Sequence, residues 1–321
     1  MKLEWQILAA VALDLLLGDP RWLPHPVRGI GWLAQRLEPV TRKLLWPRLA
    51  GIVTALTVIG VAGLCAYGLI ALGKRLHPLA GDVVSILIIW TTIAARDLAR
   101  HSTAVYRALA AGDLAEARKR LSMMVGRDTE RLDEPEVARA AVESVAESIV
   151  DGVTAPLFFA VVAGPVGAMV YRAINTLDST FGYKDERYLK FGWASARIDD
   201  AANFIPARLT APLVAVAAAL LRERPAASLQ ILWRDARNHA SPNAGFAEAA
   251  MAGALGVQLG GLNYYAGEPE PKPTIGDHVE PLARGHIPRA NALMFATTVL
   301  FLTMCLAARV GLEHWSNGVM R

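Results

Sequence analysis

Uncharged apolar runs alternate with polar stretches along this chain, and the lengths of the runs predict membrane-spanning helices. The clearest, residues 49–73, holds 25 residues without a charge between Arg48 and Lys74, and residues 290–308 give a second run of 19. About 20 apolar residues suffice for a helix to cross the hydrocarbon core, so both are expected to span. Residues 3–17 and 76–95 are expected to span as well, although Glu4 and Asp14 interrupt the first and Asp82 the second. Residues 152–171 contain Pro156, Gly164, Pro165 and Gly167, which break helical continuity and predict a broken or re-entrant helix. Segments 205–221 and 249–265 stay open between span and re-entrant segment, and five prolines between Glu268 and Arg289 predict an extended loop. The pattern predicts an all-α integral membrane protein, a single membrane-embedded domain over 1–321.

Between the apolar segments 76–95 and 152–171, residues 96–151 read as a helical module. Asp113 with Glu116 and Asp133 with Glu136 have capping-box spacing, and Pro135 suits a first helical turn. Val142, Val145 and Ile149 then recur at helical spacing, while Glu143, Glu147 and Asp151 follow one another at i, i+4 and i+8 on another face. A solvated face is the ordinary explanation of such a stripe. These acids lead directly into an apolar run, however, where unpaired charge is expensive, so a divalent cation or a basic partner is the better expectation.

Composition agrees with the hydropathy. The 321 residues are 54% hydrophobic and 19% charged, more apolar than an ordinary soluble domain. The net charge of +4 does not announce nucleic acid, because the basic residues are scattered and form no stripe. Six Lys and Arg residues between Gly18 and Arg48 instead place that stretch, and two crossings later the 96–151 module, in the cytoplasm. Cys65 and Cys305 lie inside apolar runs, where packing is their expected role.

The candidate chemistry concentrates in a polar island from Tyr171 to Leu209, YRAINTLDSTFGYKDERYLKFGWASARIDDAANFIPARL, set between apolar segments. Asn175, Asp178, Asp199, Asp200 and Asn203 offer oxygen ligands for a hard cation, and Lys184, Lys190, Arg197 and Arg208 offer charges for phosphate or carboxylate. Capping roles for Asp178 and Asp199 carry about even weight with the ligand reading. Gly68–Lys74 spells GxxxxGK, but Arg75 replaces the Ser or Thr a phosphate loop needs and the stretch closes an apolar run. Arg127 beside Asp128 is as readily a local ion pair as an anion clamp, and His25 and His239 lack a second histidine at ligand spacing. Tyr183, Tyr188, Phe191 and Trp193 are expected at the membrane interface.

Four blocks, LDLLLGDPRWLPHPVRGIG (13–31), VGRDTERLDEPEVARAAVESVAESIVDGVTAPLFF (125–159), the polar island (171–209) and ARNHASPNAGFAEAAMAGALG (236–256), together resemble adenosylcobinamide-phosphate synthase of cobalamin biosynthesis. Ser148 stands where that family pattern would have asparagine, and Thr180 where it would have methionine. The resemblance implies an inner-membrane ligase that joins the free propionate of adenosylcobyric acid to aminopropanol phosphate or aminopropanol, with ATP as co-substrate and Mg2+ as cofactor. It implies a multi-pass protein with its active site facing the cytoplasm, acting on small molecules in the bilayer, without nucleic acid, beside other membrane enzymes of the pathway. Condensing a carboxylate with an amine requires activation, and an acyl phosphate formed with magnesium and cationic clamps would supply it.

On that footing Glu143, Glu147, Asp151, Asp199 and Asp200 are expected to hold metal. Lys184, Arg197, Asp178 and Asn175 are expected to be catalytic, and Arg127, Asn203, Arg208 and Tyr183 to bind substrate. Two other classes fit parts of the pattern: a magnesium-dependent membrane prenyltransferase, since paired Asp/Asn motifs bind diphosphates, and a non-catalytic corrinoid-binding or sensor protein.

Overall fold

A computed structural model describes residues 1–20, 22, 25–183 and 185–319, the side chains through 311. The chain is an all-α membrane protein with a single small hairpin, and five helical segments are long and apolar enough to cross a bilayer: Pro47–Leu76, Pro78–Ala110, Glu134–Phe181, Trp193–Leu220 and His286–Gly311. It divides into two compact units. Unit 1 comprises Met1–Ala94, Asp151–Asn203 and the chain from Cys305, and unit 2 comprises Ala95–Val150 and Phe204–Met304.

Unit 1 holds α1 (Leu3–Leu17), α2 (Pro26–Thr41), α3 (Pro47–Leu76), α4 (Pro78–Trp90) and α8 (Ala155–Phe181). In α3 the buried positions Ala50, Thr54, Val58, Ala62 and Ala66 recur every four residues and are small, while Leu56, Leu64, Leu69 and Leu72 point outward. That arrangement lets neighbouring backbones approach closely and leaves leucine for the lipid. Gly51 is the tightest case, because a Cβ there would overlap the Phe191 carbonyl. Met169, Ala173, Leu177 and Phe181 of α8 complete the core. The helix α1 has 15 residues, about 22 Å of rise, and Gly18 ends it at a φ of 65°. It therefore falls short of the roughly 30 Å hydrocarbon core that residues 3–17 were expected to cross.

The break expected within 152–171 is present twice over. A π turn at Val150–Thr154 precedes α8, and Gly164, with φ 67° and ψ −164°, interrupts the helix immediately before Pro165. The π turn ends the 3.6-residue repeat at Val150. Glu143 and Glu147 therefore fall in unit 2 and Asp151 in unit 1.

Unit 2 holds α5 (Ala95–Ala110), α6 (Leu114–Leu121), α7 (Glu134–Ile149), α10 (Pro225–Asp235) and α11 (Ala244–Leu255). Helix α7 begins on a full capping box: the Glu136 N–H donates to Asp133 Oδ1 and the Asp133 N–H to Glu136 Oε2, both at 2.9 Å. Two helices, α9 (Trp193–Leu220) and α12 (His286–Val319), run on beyond one unit. Segment 205–221 belongs to α9, which continues through Pro206 and Pro212.

Segment 249–265 is not a span. Helix α11 stops after 12 residues at Gly256, which takes the left-handed conformation with φ 69°, and the chain turns into strand β1 (Leu259–Tyr265). The expected loop after Glu268 contains strand β2 (Glu268–Ile275), antiparallel to β1. Pro269 and Pro271 lie opposite Tyr264 and Leu262, on one alternating set of positions. Prolines confined to one such set leave the other set free to donate ladder hydrogen bonds, which is how a proline-rich strand survives at a sheet edge.

Candidate functional site: a charged cavity under the hairpin

Helix α7 places Glu143 and Glu147 one turn apart, and the hairpin folds over them. The Gly260 N–H donates to Glu143 Oε1 at 2.7 Å, and Arg139 donates to the carbonyls of Gly260 and Leu262. Glycine is required at 260, where φ is 80° and a Cβ would overlap the Pro273 carbonyl. Arg127 donates to Glu143 Oε2 at 2.6 Å and to the side chain of the fully buried Asn263. Both oxygens of Glu143 are thus engaged, whereas the Nε of Arg127 is buried with no hydrogen-bond partner.

Under the hairpin lies a cavity of about 170 Å³, lined by Arg127, Glu143, Glu147, His239, Glu248 and Lys272 among others. Glu248 reaches it from α11, with its side chain 7% exposed and Oε1 3.5 Å from His239 Nε2. Burial first, and then the charges of Glu147 and Glu143, push the Glu248 carboxyl well above the usual carboxylate range. Burial likewise lowers His239 and keeps its ring neutral. Since the Ser241 N–H donates to Nδ1 at 3.0 Å, the ring proton is assigned to Nε2, facing Glu248. Burial opposes the Lys272 ammonium, but its hydrogen bond with Tyr265 and the charges of Glu147 and Glu143 outweigh that, and Lys272 lies above the usual lysine range.

A second polar group occupies unit 1, on α8 and α9. The Tyr171 hydroxyl donates to Asn203 Oδ1 at 2.8 Å and lies 3.3 Å from the Asp151 carbonyl, and Asn203 Nδ2 donates to Asp199 Oδ2 at 2.9 Å. Asp199 Oδ1 is buried without a hydrogen-bond partner. The charges of Asp178 and Asp200 act on Asp199, and Asn175 accepts from Arg172 at 3.4 Å.

The residues expected from sequence are therefore distributed. Arg127, Glu143 and Glu147 meet in the cavity, whereas Asn175, Asp178, Asp199, Asp200, Asn203 and Asp151 belong to unit 1. Arg197 pairs with Asp200 at 3.1 Å on the surface, and Tyr183 is exposed. In unit 2, Arg208 sits 3.5 and 4.4 Å from the ring centres of Phe204 and Phe246 and donates to Asn243 at 3.1 Å. Lys184 lies outside the described residues. Among those described, no group of three or more His, Cys, Asp or Glu side chains is placed to hold a metal ion.

Sequence reasoning missed Glu248 and Lys272, and it set His239 aside for want of a second histidine at ligand spacing. Glu248 carried a usable signal, since it is the one charge in an otherwise apolar helix, AGFAEAAMAGAL. His239 and Lys272 carried none, because loop and hairpin, not periodicity, bring them to the cavity.

These features define a multi-pass helical membrane protein with a buried charged cavity beneath a hairpin. The family model for CobD/Cbib protein matches residues 7–294, and the chain belongs to that family of cobalamin biosynthesis proteins. It is 55% identical over 277 residues to the cobalamin biosynthesis protein CobD of Geobacter metallireducens, covering 86% of this chain and 87% of that one. It is also 46% identical to CobD of Leptospira interrogans serovar copenhageni, covering 93% and 95% of the two chains. The cobalamin biosynthesis protein CbiB of Salmonella choleraesuis is 46% identical, covering 98% of this chain and 99% of its own. No solved structure matches the chain.

Proposed function

We propose that this protein is the amide-forming ligase of cobalamin biosynthesis, joining aminopropanol phosphate, or aminopropanol, to the free propionate of adenosylcobyric acid with consumption of ATP. The observation that carries this reading is the unit 2 cavity, which Arg127 and Lys272 line together with Glu147 and Glu248. Such a space suits a small molecule bearing both an anionic and a cationic group. At about 170 Å³ it is smaller than the roughly 300–1,000 Å³ typical of drug-sized ligands, so it would take the amine substrate and not the corrin. Arg127, with its unpartnered buried Nε, and Lys272 bind the phosphate end and orient the amine beneath the hairpin.

The oxygen-rich set of unit 1 is assigned separately. Asp178, Asp199 and Asp200 with Asn175 and Asn203 are hard oxygen donors, but among the described residues no three carboxylates are grouped to hold a metal ion by themselves. Magnesium would therefore enter with ATP, bridging its phosphates and supplying charge neutralisation there. The protein would act in the inner membrane with its chemistry on the cytoplasmic side, in accord with the basic 18–48 stretch.

The test incubates membranes containing the protein with adenosylcobyric acid, either amine and magnesium ATP, and seeks the amide product by mass spectrometry. An ATP-dependent product supports the ligase. A folded protein that binds corrinoid yet forms no product with either amine overturns it in favour of a binding protein.

A further inference from the structure

Three carboxyl groups, Glu143, Glu147 and Glu248, line the unit 2 cavity beside Arg127 and Lys272, and Glu143 alone has arginine partners, Arg127 and, at 3.9 Å, Arg139. Glu143 is satisfied by Arg127 and the Gly260 N–H. Among the described residues Glu147 has no hydrogen bond or ion pair, and Glu248 has only His239 at 3.5 Å. Burial and the charges of Glu147 and Glu143 disfavour the ionised form of Glu248, and a cation placed between Glu248 and the exposed Glu147 would relieve both.

The identity of that cation follows from the other groups present. His239 offers no nitrogen lone pair to a metal in its neutral state, because Nδ1 accepts from Ser241 and Nε2 carries the proton toward Glu248. With Glu143 saturated, two carboxylates remain, fewer oxygen donors than the six to eight of a calcium site or the near-octahedral shell of magnesium. Lys272 and Arg127 line the same space and would repel a divalent ion more strongly than a monovalent one. A primary ammonium carries a single charge and three N–H donors, and its molecule can carry an anion toward Arg127 and Lys272.

We propose that Glu248, with Glu147, forms the receptor for the ammonium group of a small phosphorylated amine, and so sets the enzyme's preference for an amino group at that end of the substrate. The inference rests on the ligase reading for the identity of the amine, but the binding step needs neither ATP nor corrinoid. His239 is a positioning residue whose Nε2–H faces the Glu248 carboxylate.

The test measures binding to the full-length protein in nanodiscs by calorimetry, without ATP or corrinoid. The probes are aminopropanol phosphate and propanediol phosphate, which lacks the amine. Wild type should prefer the amine by about 10- to 100-fold, the worth of a charge-assisted hydrogen bond. Glu248→Gln should erase that preference while leaving propanediol phosphate affinity unchanged, and Glu147→Gln, at an exposed position, should reduce it several-fold. Equal binding of the two probes by wild type overturns the proposal, as does an amine preference that survives in Glu248→Gln. If Glu248→Gln fails to fold, an unchanged preference in Glu147→Gln overturns it. Binding of Mn2+ by wild type that Glu248→Gln abolishes, with the amine preference intact, also overturns it, in favour of a divalent ion. Should the amine preference hold while no amide forms in the turnover assay, the ligase reading fails and the ammonium receptor stands.

Discussion

The polar group of unit 1 and the cavity of unit 2 are built from opposite kinds of contact. In unit 1 the bonded partners are near neighbours on long helices: Asn203 reaches Asp199 four residues back, Arg197 reaches Asp200 three residues on, and one longer link joins Tyr171 to Asn203. In unit 2 every decisive contact is remote, joining Arg127 to Asn263, Glu143 to Gly260 and His239 to Glu248. A cluster made of helical neighbours can lose one member and relax locally. A cavity closed by a hairpin has no such slack, because each charge depends on a partner delivered by another element.

The largest effect that would expose this difference is at Arg127. Replacing it with alanine leaves Glu143 buried and short of its cation, and breaking a buried pair from one side costs about 3–5 kcal/mol. We expect Arg127→Ala to unfold unit 2 at ordinary temperature, seen as loss of the hairpin's protection in hydrogen exchange, and to abolish turnover. The double variant Arg127→Ala/Glu143→Gln should recover much of the fold without recovering activity. A stable single variant would show that water reaches Glu143 and that the cavity is not closed.

The matching change in unit 1 is Asn203→Ala, which removes the acceptor of Tyr171 and the donor to Asp199. Each lost partner leaves a buried polar group costing about 1–3 kcal/mol, part of which neighbouring rotamers recover. Its thermal midpoint in detergent should fall less than that of Arg127→Ala, and a larger fall would reverse the comparison. Gly164→Ala, which forces a side chain into φ 67°, should cost about 1–3 kcal/mol by the same measurement. A neutral result would mean that the break in α8 shifts easily to another residue.

The same contrast decides what was legible in the sequence. The 25-residue run became α3, the Asp133/Glu136 spacing became a capping box, and the Gly164-Pro165 pair became a break, because each is a local or periodic signal. The hairpin was not legible, since EPEPKP lacks the β-branched and aromatic residues by which strands are recognised and its prolines read as loop. The acid stripe was legible only as far as Val150, because the π turn that ends it has no compositional mark. Of the cavity, Arg127, Glu143 and Glu147 drew attention through their charges. Lys272 did not, and His239 was weighed only as a metal ligand, because only the hairpin and the 236–243 loop give the two a shared environment.

The smallest effect tests whether remote charge pairing matters equally outside the cavity. Glu280 accepts from Arg289, His286 and Arg224, with Arg289 the largest influence, and together these hold its carboxyl down at about 2 against an ordinary 4.5. Because the folded value is depressed, the contribution to stability is complete above pH 4.5 and disappears as pH falls from 4.5 toward 2. The Glu280 side chain is 34% exposed, so solvent screens the network and the contribution stays within about 1 kcal/mol, as for surface ion pairs. Glu280→Gln should therefore lower the thermal midpoint by a few degrees at pH 7, and the gap from wild type should narrow as pH falls below 4.5 and close only near pH 2. A gap of the same size at pH 7 and near pH 2 would mean that the glutamine disturbs packing and that charge is not the cause. No gap at pH 7 would confine costly remote pairing to the cavity under the hairpin, the sharpest form of the contrast between the two kinds of contact.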